Sequence, residues 1–353
     1  MAQPTPAPGA RRPAAVAARQ AMVIAALVVV VQSVLVTLFA WPALRIEPRD
    51  LPVVVAGPQQ AATAMAGQLR ARRPGAFAVT IVADGAAADE ALRDRRAYAA
   101  FVLGQQGVSL HLASAASPVV AQVLQSALAE PGRAVVDVVP IDSDDPRGAG
   151  FAAGFLPLVL TSIAVGALLS LLVVGRLARL TGLVAFAVLA GLAGTAVLQY
   201  GLSALPGEYL ANAGVVGLLA LAMSGSVAGL AALLGRPGIG LGVVLMFMVG
   251  NPFSAVTAAP ELLPQPWGQA GQLLPPGAGG TLLRSVAYFD GAGGGRSALV
   301  LACWAAAGLL LLAVGRAAVA FDSGRVARST SALIPVAAGG VPVSAAEGAT
   351  STV

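Results

Sequence analysis

Apolar residues gather in six long uncharged blocks. The first occupies residues 21–43, and a stretch of mixed polarity follows it. Five more come after, at 155–174, 182–205, 215–234, 239–258 and 297–315. None of the six holds Asp, Glu, Lys, Arg or His. An α-helix rises about 1.5 Å per residue, so each block is close to the ~20 residues that cross ~30 Å of hydrocarbon. The pattern predicts an α-helical polytopic membrane protein with six transmembrane helices and one folded domain between the first two.

That domain, residues 45–150, alternates strand and helix signals. Residues 51–56 are an apolar strand ending at Gly57-Pro58, a turn. Residues 59–73 read as a helix, 77–82 as a strand and 85–96 as a helix. Strands at 99–103 and 108–112 flank a turn at 105–107. A helix at 118–130 and a strand at 135–141 complete the set. Such alternation predicts a small α/β sandwich. Residues 142–150 form a polar linker. Residues 1–20 and 321–353, rich in Pro, Ala, Ser, Thr and Gly, read as disordered tails.

Composition agrees with a membrane setting: 57% apolar, 10% charged, mean hydropathy +0.82. Soluble domains carry about 25% charged residues. A pI near 10.3 fits nucleic-acid binding as a first guess. All 21 basic residues are Arg, however, and many flank the apolar blocks, so the partner read here is the lipid bilayer and no nucleic acid. Arg11, Arg12, Arg19, Arg176, Arg179, Arg236, Arg316, Arg325 and Arg328 fall on one side of a six-span layout. The short loops opposite hold Arg284 and Arg296. Arg-rich short loops face the cytoplasm. Both termini are therefore expected inside and the large domain outside a plasma membrane. Block 21–43 is too long for a usual signal-peptide core and is read as an uncleaved anchor.

The segment 259–296 is rich in helix breakers. Asn251-Pro252 precedes it; Pro264, Trp267, Pro275 and Pro276 lie within it. Then Leu282, Leu283, Val286 and Phe289 recur at helical spacing, with Arg284 and Tyr288 among them. Two readings stay open: a re-entrant hairpin or an interfacial helix. Broken backbone at membrane depth needs cover from protein or water. Asn251, Pro252, Pro264, Trp267, Pro275, Pro276, Arg284 and Tyr288 are the candidate path or gate residues.

No catalytic, cofactor or metal constellation stands out, and no enzyme is expected. His111, the only histidine, lies between apolar neighbours and reads as a packed or surface residue. Serines lack a partner base in the sequence. Asp142, Asp144 and Asp145 lack the Gly and distal Glu of a calcium loop and read as a solvated linker. Arg70, Arg72 and Arg73, with Arg93, Arg95 and Arg96, read as solvated helix faces, with anionic lipid as a weaker option. Cys303 alone can form neither an intrachain disulfide nor a zinc site of Cys pairs. The spans lack the buried acids of proton-coupled transporters. The chain also lacks a GxxxxGK[ST] loop, so ATP hydrolysis would belong to another chain. Gly191, Gly194, Ala196, Ser224, Gly225, Ser226 and Gly229 read as close-packing positions.

One span, a large outer domain and five further spans resemble the permease subunits of type-2 ATP-binding-cassette (ABC) exporters. More narrowly, residues 89–103 (DEALRDRRAYAAFVL), 250–253 (GNPF), 263–267 (LPQPW), 274–277 (LPPG) and 284–291 (RSVAYFDG) resemble the bacterial membrane family that includes the phage-infection protein. The resemblance covers residues 21–320. It implies an export path through this chain, a homodimer or paired permease, and a separate ATP-binding subunit. Residues 175–180 depart from such permeases, being very short for a coupling element. The alternative is a non-transporting membrane protein whose outer domain serves as adaptor, receptor or envelope scaffold.

Overall fold

The computed structural model describes residues 14–315 except 106, 128–133 and 144. The expected tail at 321–353 lies outside these, as do residues 1–13, while residues 14–20 are helical rather than irregular. Helix α1 (Ala14–Ala43) leads into an α/β domain. Its elements are β1 (Leu51–Ala56), α2 (Gln59–Arg72), β2 (Phe77–Val82), α3 (Gly85–Arg93), β3 (Ala99–Gly104), β4 (Gly107–Leu112), α4 (Pro118–Ala127) and β5 (Val135–Asp137). Then come α5 (Ala149–Leu172), α6 (Arg176–Ala196), α7 (Tyr209–Leu234), α8 (Arg236–Val243), α9 (Trp267–Gly271), α10 (Pro275–Phe289) and α11 (Gly295–Val314). Single π-helical turns extend α6 through Gly201 and α8 through Val249.

Among the described residues, five helices are long and apolar enough to cross a membrane: α1, α5, α6, α7 and α11. The chain is thus a mostly helical protein with a small mixed sheet, consistent with a polytopic membrane protein. The fifth apolar block, 239–258, is not one helix. Helix α8 and its π turn stop at Val249, giving an apolar helix of about 20 Å rise. Beyond it, Pro252 cannot supply a backbone donor, and residues 250–258 run through turns.

The sheet order is β2-β1-β3-β4-β5, parallel except for the β3–β4 hairpin. Strand β1 is apolar throughout because both its faces are covered, as parallel strands require. Val53 and Val55 face α2 and α4, packing with Ala62, Val120 and Leu124. Val54 and Ala56 face α3, packing with Ala88 and Leu92. Two boundaries differ from expectation. The helix at 85–96 ends at Arg93, and the last strand stops at Asp137, whose carboxylate turns back to take the N–H of Ser114 (3.1 Å) and its hydroxyl.

Both sheet faces are completed from the far end of the chain. Ala258, Ala259 and Leu262 enter the core formed by Val53, Phe101 and Leu110. Phe289, last residue of α10, enters the core formed by Val54, Leu92 and Ala100. Backbone bonds seal the junction: Glu47 N–H to Leu262 O (3.1 Å) and Arg49 N–H to Glu261 O (2.9 Å).

Helix α7 is the buried centre of the bundle. Small residues allow its neighbours to approach backbone to backbone. A Cβ added at Gly166 of α5 falls 2.5 Å from Ser224 O, and one at Gly191 of α6 falls 2.4 Å from Ala213 O. Gly229 of α7 meets Gly308 of α11 in the same way. The face Ser224–Gly229 is therefore engaged within the chain. Arg176 at the start of α6 donates to Ala313 O (3.0 Å) and Gly315 O (2.8 Å), satisfying carbonyls that the end of α11 leaves open. Apart from Pro42, α1 buries none of its described side chains. It meets the bundle near its C-terminal end, through Phe39 on Phe247 (5.7 Å between ring centroids) and Trp41 on Phe253 (6.5 Å).

Candidate functional site

The candidate residues fall at three places, two of which adjoin through Ala255 and Ala258. Asn251 and Pro252 line a cavity of about 290 Å³ with Phe39, Phe155 and Leu263. Pro264, next in the chain to Leu263, is buried. Trp267 stacks on Phe253 (5.3 Å) and stays half-exposed beside Trp41 and Val249. Pro275 and Pro276 open α10, where their fixed φ suits the first helical turn. Pro276 also backs onto Gly250: a Cβ there would sit 3.0 Å from the proline ring, so Asn251-Pro252 and the start of α10 are neighbours. Tyr288 lies at another cavity, with Arg93, Asp142 and Phe289, and burial pushes its phenol up to about 12.

Arg284 lies at the third place, a cavity of about 380 Å³ between α10 and the α/β domain. Helix α10 runs inside the protein, with Leu282, Leu283 and Ala287 in the same core as Phe155, Leu219 and Met223. Arg284 is 6% exposed. Its Nη2 donates to Val256 O (3.1 Å), and its guanidinium lies 4.8 Å over the Phe151 ring. Burial, and next the charge of Arg95, lower its pKa to about 10, so it stays a cation at neutral pH.

Arg95 arrives from the α/β domain. It sits just past α3 with φ 57°, the left-handed position usually given to glycine. The turn is a Schellman motif: Arg96 N–H reaches Ala91 O (2.9 Å) and Arg95 N–H reaches Leu92 O (3.1 Å). A non-glycine residue there costs about 1 kcal/mol. The side chain explains the choice: Nη1 donates to Thr281 O of α10 (3.0 Å), and the guanidinium covers Phe289 at 5.2 Å. Burial lowers the Arg95 pKa. Beside it, the Tyr98 hydroxyl donates to Glu261 Oε2 (2.9 Å), and burial, then the Glu261 charge, raise its pKa. Thr281 donates to Gln272 Oε1 (2.6 Å), whose Nε2 donates to Ser254 O (3.0 Å). Arg296 lines the same cavity from the exposed start of α11.

Sequence reasoning placed Arg284 in this region and missed Arg95, Tyr98, Glu261 and Arg296. The apolar neighbours Leu282 and Leu283 are the signal for Arg284. Arg95, inside RDRR, carries none, because its burial depends on a helix almost two hundred residues away. The expectation of a solvated Arg95 is corrected accordingly. The solvated-linker reading of the acidic stretch is corrected at Asp145, which caps α5 by accepting from Ala149 N–H (2.8 Å) and Phe151 N–H (3.1 Å). Asp144 lies outside the described residues.

The expectation that serines lack a base also needs correction. His111 Nδ1 lies 2.6 Å from Asp89 Oδ1, and its Nε2 lies 3.2 Å from Ser109 Oγ. Ser109 and His111 share a face of β4, and Asp89 comes from α3. The order matches a hydrolase triad, but hydrolysis also needs N–H donors for the oxyanion. The N–H after Ser109, that of Leu110, donates to Ala134 O (2.9 Å) instead. We expect a fluorophosphonate probe to leave Ser109 unmodified in the folded protein. Labelling lost in Ser109→Ala would show an activated serine.

Among the described residues no group of three or more His, Cys, Asp or Glu is placed to hold a metal ion. No family model, curated protein or solved structure matches the chain.

Proposed function

We propose that this chain is the membrane permease subunit of an ABC-type exporter. It crosses a plasma membrane six times, with both termini in the cytoplasm and the α/β domain outside, and a separate subunit hydrolyses ATP. The observation that carries the reading is the polar cavity at the junction of α10 and the α/β domain, a vestibule above the bundle. Six crossings draw support from connectivity. The start of α6 bonds the end of α11, so both lie at one end of the bundle. Residues 258–262 pack in the core of the α/β domain, which lies at the other end between α1 and α5. The chain from Arg236 to Ala258 therefore traverses the bundle, part as α8 and part as non-helical segment. With the Ser224–Gly229 face engaged internally, a homodimer or paired permease would use another surface. The exposed Val184, Val188 and Leu189 of α6 form such a surface.

One observation favours the second reading, a non-transporting adaptor or receptor. The connection between α5 and α6 is three residues, 173–175, and offers an ATPase little to grip.

Single cysteines in a Cys303→Ser background test the layout. We expect Gln60→Cys and Glu208→Cys to react with a membrane-impermeant maleimide on intact cells. Val174→Cys should react only after permeabilisation. Reaction of Val174→Cys from outside would sink the layout. Co-purification of an ATP-binding subunit with nucleotide-dependent export supports the permease; a chain that fulfils its cellular role without one supports the receptor.

A further inference from the structure

We infer that the cavity between α10 and the α/β domain is a binding site for a phosphate group, held by the guanidinium groups of Arg95, Arg284 and Arg296. Four charged side chains line it, three arginines and one glutamate, Glu261. Among the described residues none of the three arginines has a carboxylate within the 4.0 Å of an ion pair. Glu261 instead accepts from Tyr98. The cavity thus carries an excess of two positive charges, matching the −1.5 to −2 of a phosphate monoester, roughly, at neutral pH.

The arginines are built in rather than incidental. Arg284 is more than nine-tenths buried and makes one hydrogen bond, to Val256 O, among the described residues. Its other N–H donors are left for a ligand. A buried cation without a counter-ion is costly, and its retention calls for a compensating anion. Arg95 occupies a left-handed backbone position that glycine would fill with less strain, and it is fixed on α10 by the Thr281 bond. Burial lowers the pKa of both guanidinium groups, the direction an incoming anion would reverse. Planar guanidinium forks suit phosphate oxygens.

The apolar cavity containing Asn251 and Pro252 shares Ala255 and Ala258 with this one. Phe39, Ile46, Phe155 and Leu156 line it, next to the C-terminal end of α1. A hydrocarbon chain attached to the phosphate would lie there, so a phosphate-bearing amphiphile suits the pair of cavities better than free phosphate. The inference concerns binding; reading the bound group as part of exported cargo rests on the permease proposal.

The test uses the purified full chain in detergent, followed by calorimetry and thermal unfolding. The probes are dihexanoylphosphatidic acid, sodium phosphate and, as control, dihexanoylphosphatidylcholine. Phosphatidic acid should bind saturably and raise the unfolding temperature; the choline lipid should not. Arg284→Met should weaken binding at least tenfold while the unliganded chain unfolds no earlier than the parent, because a lone buried charge has gone. Arg296→Gln, on the exposed rim, should weaken binding less and keeps the test open if Arg284→Met misfolds. Equal binding by sodium phosphate alone supports the site with free phosphate as its source. Unaltered binding in both variants, equal stabilisation by the choline lipid, or no binding by either phosphate probe overturns the inference. Binding is read here without an ATPase, so its loss counts against the site alone, whereas intact binding in a chain that fulfils its cellular role without an ATP-binding subunit counts against the permease reading alone.

Discussion

Expressed alone, residues 45–150 should not form a stable native sheet. Leu262 fills one face of that sheet and Phe289 the other, and both come from outside the fragment. Removing a buried Leu or Phe typically costs about 2–5 kcal/mol each. Two such losses approach the whole stability of a small domain, about 5–15 kcal/mol. We expect the fragment to bind hydrophobic dyes, to lack fixed aromatic circular dichroism and to unfold without a sharp transition. The point substitution Leu262→Ala in the full chain should lower the stability of the α/β domain by about 2–5 kcal/mol in denaturant titration. A fragment 45–150 with a dispersed amide spectrum and cooperative unfolding would show that the borrowed residues are dispensable.

The second large effect is expected at the crossing of α7 and α11. A Cβ on Gly308 would sit 2.4 Å from the carbonyl carbon of Gly225, far inside van der Waals contact. The obstacle is backbone, which cannot rotate aside, so the two helices must separate. Gly308→Ala should cost about 3 kcal/mol, the upper part of the range for overpacked cores, and Gly308→Leu should abolish assembly. Gly225→Ala is the matched control. Nothing lies within 4 Å of its added Cβ, so the same methyl should be neutral or stabilising by about 0.5–1 kcal/mol. Thermal unfolding in mild detergent separates the two. Equal effects at both positions would show that helix spacing is not set at Gly308.

Local periodicity makes most of the elements legible in the sequence. Residues 51–56 and 77–82 stand there as the strands they form, because apolar β-branched residues between turn signals leave little alternative. The blocks that form α5, α7 and α11 are equally plain. What fails is local in another way. Hydropathy counts side chains and ignores backbone donors, so 239–258 reads as one span although Pro252 ends the helix. The cavity is mostly illegible because its charges come from Arg95, Glu261, Arg284 and Arg296, brought together by long-range packing. The Ser109–His111–Asp89 chain is hidden likewise: the strand holds two members two residues apart, and the third belongs to a helix.

The shared core also fixes an order of events during synthesis. The α/β domain is complete as a sequence by residue 150, yet Leu262 and Phe289 have still to be made. At about 5–20 residues per second, their synthesis follows many seconds later. During that interval α5, α6 and α7 are made while the domain waits with both sheet faces incompletely covered. Its closure marks the arrival of α10. The domain therefore reports, by completing its core, that the chain has been made through α10.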